Sequence, residues 1–301
     1  MRTKNCRESC RLRYLLFIVL SFVLIAVDPG ARQSSAQADN STLRVATYMD
    51  FPPFIANTEP DDGIISAIVT ESFAAAEVNI EIPEVPWRRA YRAVKLGDYP
   101  ASYSWAYSEQ RARDFHLSVP VFAISNQIIT TYSDISNWKQ LKKPRRDGTV
   151  PILCVPIGWN VSPEITSLID EGSIQQVSPG HPRFCIDLVR ANRTNILYMP
   201  MMTINYHLRA LQASDNDPGT PSLPPLYALD LPSGHANTHH ILFTRDAQGL
   251  ANKKRFDAGF KILLDSGRYR EILDRHLNSY AQKDREAIYR DQENAGILPY
   301  S

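Results

Sequence analysis

Strand signals followed by helical apolar stripes recur along the chain, and this alternation restricts the fold more tightly than any other feature. Leu43-Arg44-Val45-Ala46-Thr47-Tyr48 alternates and runs into Pro52-Pro53, the pattern of a strand ending in a loop. Ile65, Ile68, Val69, Phe73 and Ala76 then fall at helical spacing. Ile80 and Ile82 alternate about Glu81 as a second strand. Trp87, Ala90, Tyr91 and Val94 recur at i, i+3, i+4 and i+7, and Gly97 closes that helix. The order predicts α/β layering around a largely parallel sheet.

A solvated connection rich in Lys, Arg, Pro and Asp, Tyr132 to Gly148, separates this series from a second one. Ile152 to Val155 is a short apolar strand. Ser162-Pro163-Glu164 opens a helix, with Ser as cap, Pro at the first helical position and Glu at the positive end. Ile165, Leu168 and Ile169 form its stripe and Gly172 ends it. A short helix follows around Cys185, Leu188 and Val189, then a strand from Asn195 to Met199 and a helix from Thr203 to Leu211. Ser214 to Pro225 reads as a surface loop. His239 to Thr244 looks like a returning strand. Phe256, Phe260, Leu263 and Leu264 define an amphipathic helix that Gly267 stops before another containing Tyr269, Ile272, Leu273 and Leu277. The last twenty residues are polar and are expected to be peripheral.

At 301 residues the chain has room for about two domains, and 44% hydrophobic with 22% charged residues excludes disordered, collagen-like and coiled-coil classes. The formal charge of +1 offers no basic surplus to neutralise phosphates, so nucleic acid is not an expected partner. Arg2, Lys4, Arg7, Arg11 and Arg13 precede a 14-residue apolar run, Tyr14 to Val27. A bilayer core takes about 20 such residues. With Ala36-Gln37-Ala38 as a small-residue exit, residues 1–38 read as a secretory signal peptide cleaved after Ala38; the alternative is a short uncleaved anchor. Cleavage would take six basic and two acidic residues from totals of 33 and 32, leaving a net charge of −3. Cys6 and Cys10 would leave as well. Cys154 and Cys185 would remain in an oxidising compartment, where a disulfide between them is expected; their spacing alone leaves two buried free thiols open.

Four segments, in order, resemble the bacterial extracellular solute-binding proteins of family 3, the amino-acid-type periplasmic binding proteins. Tyr48-Met49-Asp50-Phe51-Pro52-Pro53-Phe54 is similar to the family's aromatic-x-Pro-Phe loop after the first strand. Pro86-Trp87-Arg88-Arg89-Ala90 leads into the helix that ends at Gly97. Ser108-Glu109-Gln110-Arg111, followed by Phe115 to Phe122, resembles the family's Thr-x-x-Arg and Phe-Ser-x-Pro-aromatic block. Phe256 to Leu277 resembles its terminal helices. The likeness spans roughly Leu43 to Leu277.

The resemblance implies a two-lobed type II periplasmic-binding fold, each lobe a mainly parallel sheet flanked by helices, with two hinge crossovers. Residues 39–130 and 236–280 would form lobe one, 131–235 lobe two, and 281–301 a C-terminal tail. Ligand would sit between the lobes, where pockets concentrate. Arg111 matches the position that grips a carboxylate, which its planar donor fork suits. Phe51 matches an aromatic that packs on the ligand. Ser104, Ala106 and Ser108 flank the loop leading to Arg111 and offer polar groups, with Trp105 and Tyr107 in the same loop; Trp87 is a further aromatic candidate. On the second lobe Trp159 and Asn160 precede the helix starting at Pro163. For each of these, ordinary packing or capping is the alternative.

Two departures put an ordinary α-amino acid ligand in doubt: Pro200 stands where many amino-acid binders carry an acid, and Asn195 where Asp is common. Val119 replaces a usual Asp. His239 and His240 are neighbours on a strand and so face opposite ways, which argues against a shared metal; no metal or cofactor is expected. The expectation is a periplasmic, monomeric binding protein that delivers a small anionic or zwitterionic solute to an ABC-type permease. The alternatives are a sensor reporting to a membrane receptor and a dehydratase acting on prephenate-like acids, for which Glu109 is the nearest candidate acid.

Overall fold

The computed structural model describes residues 42–143, 145–214, 222–229 and 236–300. The expected signal peptide with Ala38, Cys6 and Cys10 lies outside the described residues, as do 215–221 of the expected Ser214–Pro225 loop. In chain order the elements are β1 (Leu43–Ala46), α1 (Ile64–Ala75), β2 (Ile80–Glu81), α2 (Trp87–Leu96), β3 (Ala101–Ala106), α3 (Glu109–Asp114), β4 (His116–Leu117), β5 (Phe122–Ile124) and β6 (Gln127–Thr130). They continue as β7 (Ile152–Cys154), α4 (Pro163–Asp170), β8 (Gln175–Val177), α5 (Pro182–Arg190), β9 (Ile196–Met199), α6 (Met201–Ser214), β10 (Tyr227–Leu229), β11 (Asn237–Phe243), α7 (Ala247–Asp265), α8 (Arg268–Leu277) and α9 (Gln282–Asn294).

Two sheets result. The first runs β2-β1-β3-β11-β4, with β5 also on β11; the second runs β10-β6-β9-β7-β8. The βα series supply the parallel pairs, β1 with β2 and β3, and β7 with β8 and β9. The sheets are mixed, however, because β11 runs antiparallel to β3, β4 and β5, and β6 antiparallel to β9 and β10. A parallel neighbour requires a long crossover connection. β6 instead follows β5 of the other sheet after only Ser125 and Asn126.

Strand alternation builds the cores. In β9, Ile196 and Tyr198 join Leu153, Ile165 and Leu168 on one face, while Leu197 and Met199 join Cys185, Ile186 and Val189 on the other. A strand covered on both faces reads as a continuous apolar run, as Ile-Leu-Tyr-Met does. The first sheet packs against α1 and α7, which cross closely: a Cβ on Gly259 would lie 2.0 Å from the Ser72 carbonyl oxygen, so only glycine fits.

Cys154 and Cys185 form a disulfide that ties β7 to α5, with Cα atoms 5.5 Å apart and 31 residues of separation. A loop of that length corresponds to about 3–4 kcal/mol of chain entropy removed from the unfolded state. Replacing both cysteines by alanine is expected to lower unfolding stability by about that amount in denaturant titrations; an unchanged midpoint would refute the structural role.

The C-terminal residues differ from the peripheral tail expected. α9 packs on β5, and Gln292 is fully buried. Its Oε1 accepts from the Ala123 N–H (2.9 Å) and the Tyr269 hydroxyl (3.0 Å), and its Nε2 donates to the Ala123 carbonyl (2.8 Å). Asp291 accepts from the N–H and hydroxyl of Ser125 at 2.8 and 2.7 Å. These polar side chains satisfy buried backbone at the crossover between the sheets, so polarity here does not signal exposure.

Candidate functional site

The turn after β3 sets up the central side chain. Ser108 caps α3, its hydroxyl accepting the Arg111 N–H at 3.2 Å. That fixes Arg111 one turn into the helix with its side chain folded back toward the strand end. Its Nη1 donates to the Ala106 carbonyl at 2.5 Å and the guanidinium lies 5.1 Å from the centre of the Trp105 ring. Arg111 is 9% exposed, and no carboxylate pairs with it among the described residues. Burial lowers its pKa, yet a guanidinium stays charged. The result is a desolvated positive charge whose protein partners are a carbonyl and an indole face.

Arg111 opens onto a crevice of about 60 Å³ that Phe51, Trp87, Ser104, Trp105 and Ala106 also line. The second sheet contributes Gly158, Trp159 and Asn160 from the loop between β7 and α4. Asn126, between β5 and β6, and Asn237 and His239, on β11, complete the wall. Phe51 meets Trp159 edge-on at 4.8 Å between ring centres, a contact joining the two sides. Trp87 packs edge-on against Trp105 at 5.3 Å, and its indole N–H is buried without a hydrogen-bond partner.

Of the residues singled out in the sequence, Arg111, Phe51, Ser104, Trp105, Ala106, Trp87, Trp159 and Asn160 thus come together. Ser104 to Ala106 belong to the end of β3 rather than to a loop. Tyr107 and Ser108 do not line the crevice: Tyr107 is 53% exposed beside the His240 ring, and Ser108 is engaged as the helix cap. Asn195 is structural, its Oδ1 accepting the Ile152 N–H at 3.2 Å. Pro200 is buried ahead of α6, where its carbonyl accepts from the Ile204 N–H. Val119 is 39% exposed, its N–H donating to Asp257.

Asn126, Gly158, Asn237 and His239 were not anticipated as wall residues. No sequence signal marks the two asparagines, which are placed by the β5–β6 connection and the start of β11. His239 was open to inference, because alternation sends it and His240 to opposite faces. His240 turns away, its Nδ1 2.8 Å from the Ser118 carbonyl, whereas His239 faces the crevice. His239 lies 6.0 Å from the Phe51 ring in a near-parallel stack, with Nδ1 3.1 Å from the Ser104 hydroxyl and 3.3 Å from its carbonyl. Ser104 adopts φ 68°, a left-handed conformation uncommon for a residue with a side chain. Burial, with the nearby Arg111 charge adding to it, pushes the His239 pKa down to about 3.

Beside the crevice, α5 and α6 meet the loop after β1 through polar contacts. His181 Nε2 lies 2.6 Å from the Asp50 carboxylate, and Thr203 donates to the Pro52 carbonyl at 2.8 Å. The Thr58 and Tyr206 hydroxyls are 2.8 Å apart. Burial raises the Asp50 pKa, while its contact with His181 opposes the shift.

This architecture is similar to that of solved binding proteins. An ancestral arginine-binding protein bound to arginine superposes with a TM-score of 0.63 at 13% identity, over 78% of this chain and 97% of its own. A structure from the glutathione import route of Streptococcus mutans, through GshT and the cystine ABC importer TcyBC, gives 0.64 at 17% identity, over 81% and 99%. A histidine kinase sensor domain with similarity to periplasmic binding proteins gives 0.61 at 18%, over 78% and 96%. No curated protein matches the sequence. The sequence profile of one family matches residues 43–279, nearly the span that the four motifs marked out. The chain belongs to the bacterial extracellular solute-binding proteins, family 3.

Proposed function

We propose that this protein captures a small anionic or zwitterionic solute outside the cytoplasm, in the crevice between its two sheets, and passes it to an ABC-type permease. The observation that carries the reading is Arg111: a guanidinium 9% exposed, held by a carbonyl and an aromatic face, with no acidic partner among the described residues. A buried charge is strongly unfavourable until it is paired, and a carboxylate matches the guanidinium's donor fork. The unpartnered Trp87 indole N–H is a second donor on the same wall. The crevice, about 60 Å³, is too small for a peptide. Glu109, the acid weighed for dehydratase chemistry, is exposed on α3 and pairs with Arg113 at 3.5 Å, outside the crevice, which favours binding over catalysis.

A thermal-shift screen with amino acids, polyamines and small organic acids tests the reading. A ligand present at 100 times its Kd stabilises by about 2.7 kcal/mol, a rise in Tm of roughly 5–10 °C for a domain of this size. Shifts are expected from carboxylates. A response confined to polyamines would overturn the proposal.

A further inference from the structure

We propose that His239 selects the body of the ligand: its imidazole accepts a hydrogen bond from an uncharged donor, a hydroxyl or an amide N–H, on the acid that Arg111 holds. The proposal rests on the binding function above and narrows the ligand class to small carboxylates that carry a neutral donor.

The ring is fixed on two sides. Phe51 stacks on one face at 6.0 Å with an 18° tilt, and Nδ1 meets both oxygens of Ser104. A carbonyl oxygen only accepts, so the proton sits on Nδ1 and the lone pair on Nε2. The left-handed φ of Ser104 brings its hydroxyl and carbonyl together at that one nitrogen, a local strain of the kind that persists where surrounding structure holds it. His239 Nε2 has no partner among the described residues, and the ring, 9% exposed, forms part of the crevice wall. An acceptor on the crevice wall, on a residue so little exposed, is suited to a ligand donor.

Charge decides which donor. His239 is neutral at ordinary pH, so it does not compete with Arg111 for the carboxylate and acts as an acceptor only. A ligand ammonium would sit in the same crevice as the Arg111 guanidinium, and the described wall residues include no carboxylate to balance it. A desolvated second cation is therefore disfavoured, whereas a hydroxyl or amide gives up far less hydration.

The test is calorimetric titration with butyrate, 2-hydroxybutyrate, 3-hydroxybutyrate, succinamate and 2-aminobutyrate. At least one of the hydroxy or amide acids is expected to bind about tenfold or more tighter than both butyrate and 2-aminobutyrate. In His239→Asn, whose amide can still donate to Ser104 but does not reach the Nε2 position, that preference over butyrate is expected to vanish. In His239→Gln, whose amide reaches that position, part of it returns. Thermal unfolding of each variant checks folding, and the wild-type ranking with His239→Gln carries the test should the Asn variant fail to fold. Equal binding of butyrate and the hydroxy acids, a preference surviving in His239→Asn, tightest binding by 2-aminobutyrate, or no binding by any of the five would overturn the proposal. Failure of the underlying clamp shows differently: carboxylates would then bind Arg111→Gln as tightly as the wild type.

Discussion

Arg111→Ala is expected to abolish solute binding at working concentrations, with affinity falling about thirtyfold or more. Truncating one member of a buried, hydrogen-bonded charge pair costs about 2–5 kcal/mol, much of it from leaving the other charge unpaired. On the proposed reading, that other charge is the ligand's carboxylate. Stability should change little, because the guanidinium's protein contacts are one carbonyl and one ring face, and its burial without a counter-charge is itself unfavourable. Arg111→Lys keeps the charge and loses the planar fork, so an intermediate affinity is expected. Calorimetry with the tightest ligand from the screen measures both variants. Undiminished affinity in Arg111→Ala would remove the residue from the site.

Acid should weaken the fold strongly through buried histidines, with His207 and His239 contributing most. Burial pushes the His207 pKa down to about 4, aided by the charges of His181 and Arg183, and the His239 pKa down to about 3. Both lie below the ordinary value of 6.5. As pH falls through 6.5 the unfolded chain takes up protons that the folded protein refuses, so stability drops. The contribution is fully present above pH 6.5 and declines until each folded-state pKa is passed. Each group accounts for about 1.4 kcal/mol per pH unit, so the pair removes roughly 4–5 kcal/mol between pH 6.5 and 4.5. Asp50 and Asp291, whose pKa values burial raises, act in the opposite sense near the carboxylate range and soften the lower end. Denaturant unfolding at a series of pH values reads the slope. His207 Nε2 is buried without a partner, so His207→Leu is expected to shed part of the slope while retaining the fold. A flat profile in the wild type would contradict the account.

The sequence carried the fold because periodicity and punctuation agreed with the final packing. Ser162 and Pro163 start α4, with the Ser162 hydroxyl accepting the Ile165 N–H. Gly97 and Gly267 both lie in the left-handed region and end helices where expected. Within the site, legibility followed chain proximity. Arg111 and the end of β3 sit in one continuous block whose residue types suit an anion. Asn126 and Asn237 become wall residues because the connection from β5 to β6 meets the start of β11 there, and no local pattern encodes a meeting of distant segments. The disulfide was readable as an even pair of cysteines, but only the packing of α5 on β7 brings them into range. α9 was misjudged because Asp291 and Gln292 look like solvated residues, while their partners are backbone groups more than 160 positions away.

That anchoring sets α9 against the stretch of chain that leads from one sheet to the other. If the proposed binding cycle includes a swing between the two sheets, it would bend the stretch from Ile124 to Gln127, which α9 holds at Ala123 and Ser125. The last helix would then behave as a leaf spring whose stiffness sets how readily the jaws part. On that reading a substitution on the exposed face of α9 would change how readily a solute is released without touching a wall residue.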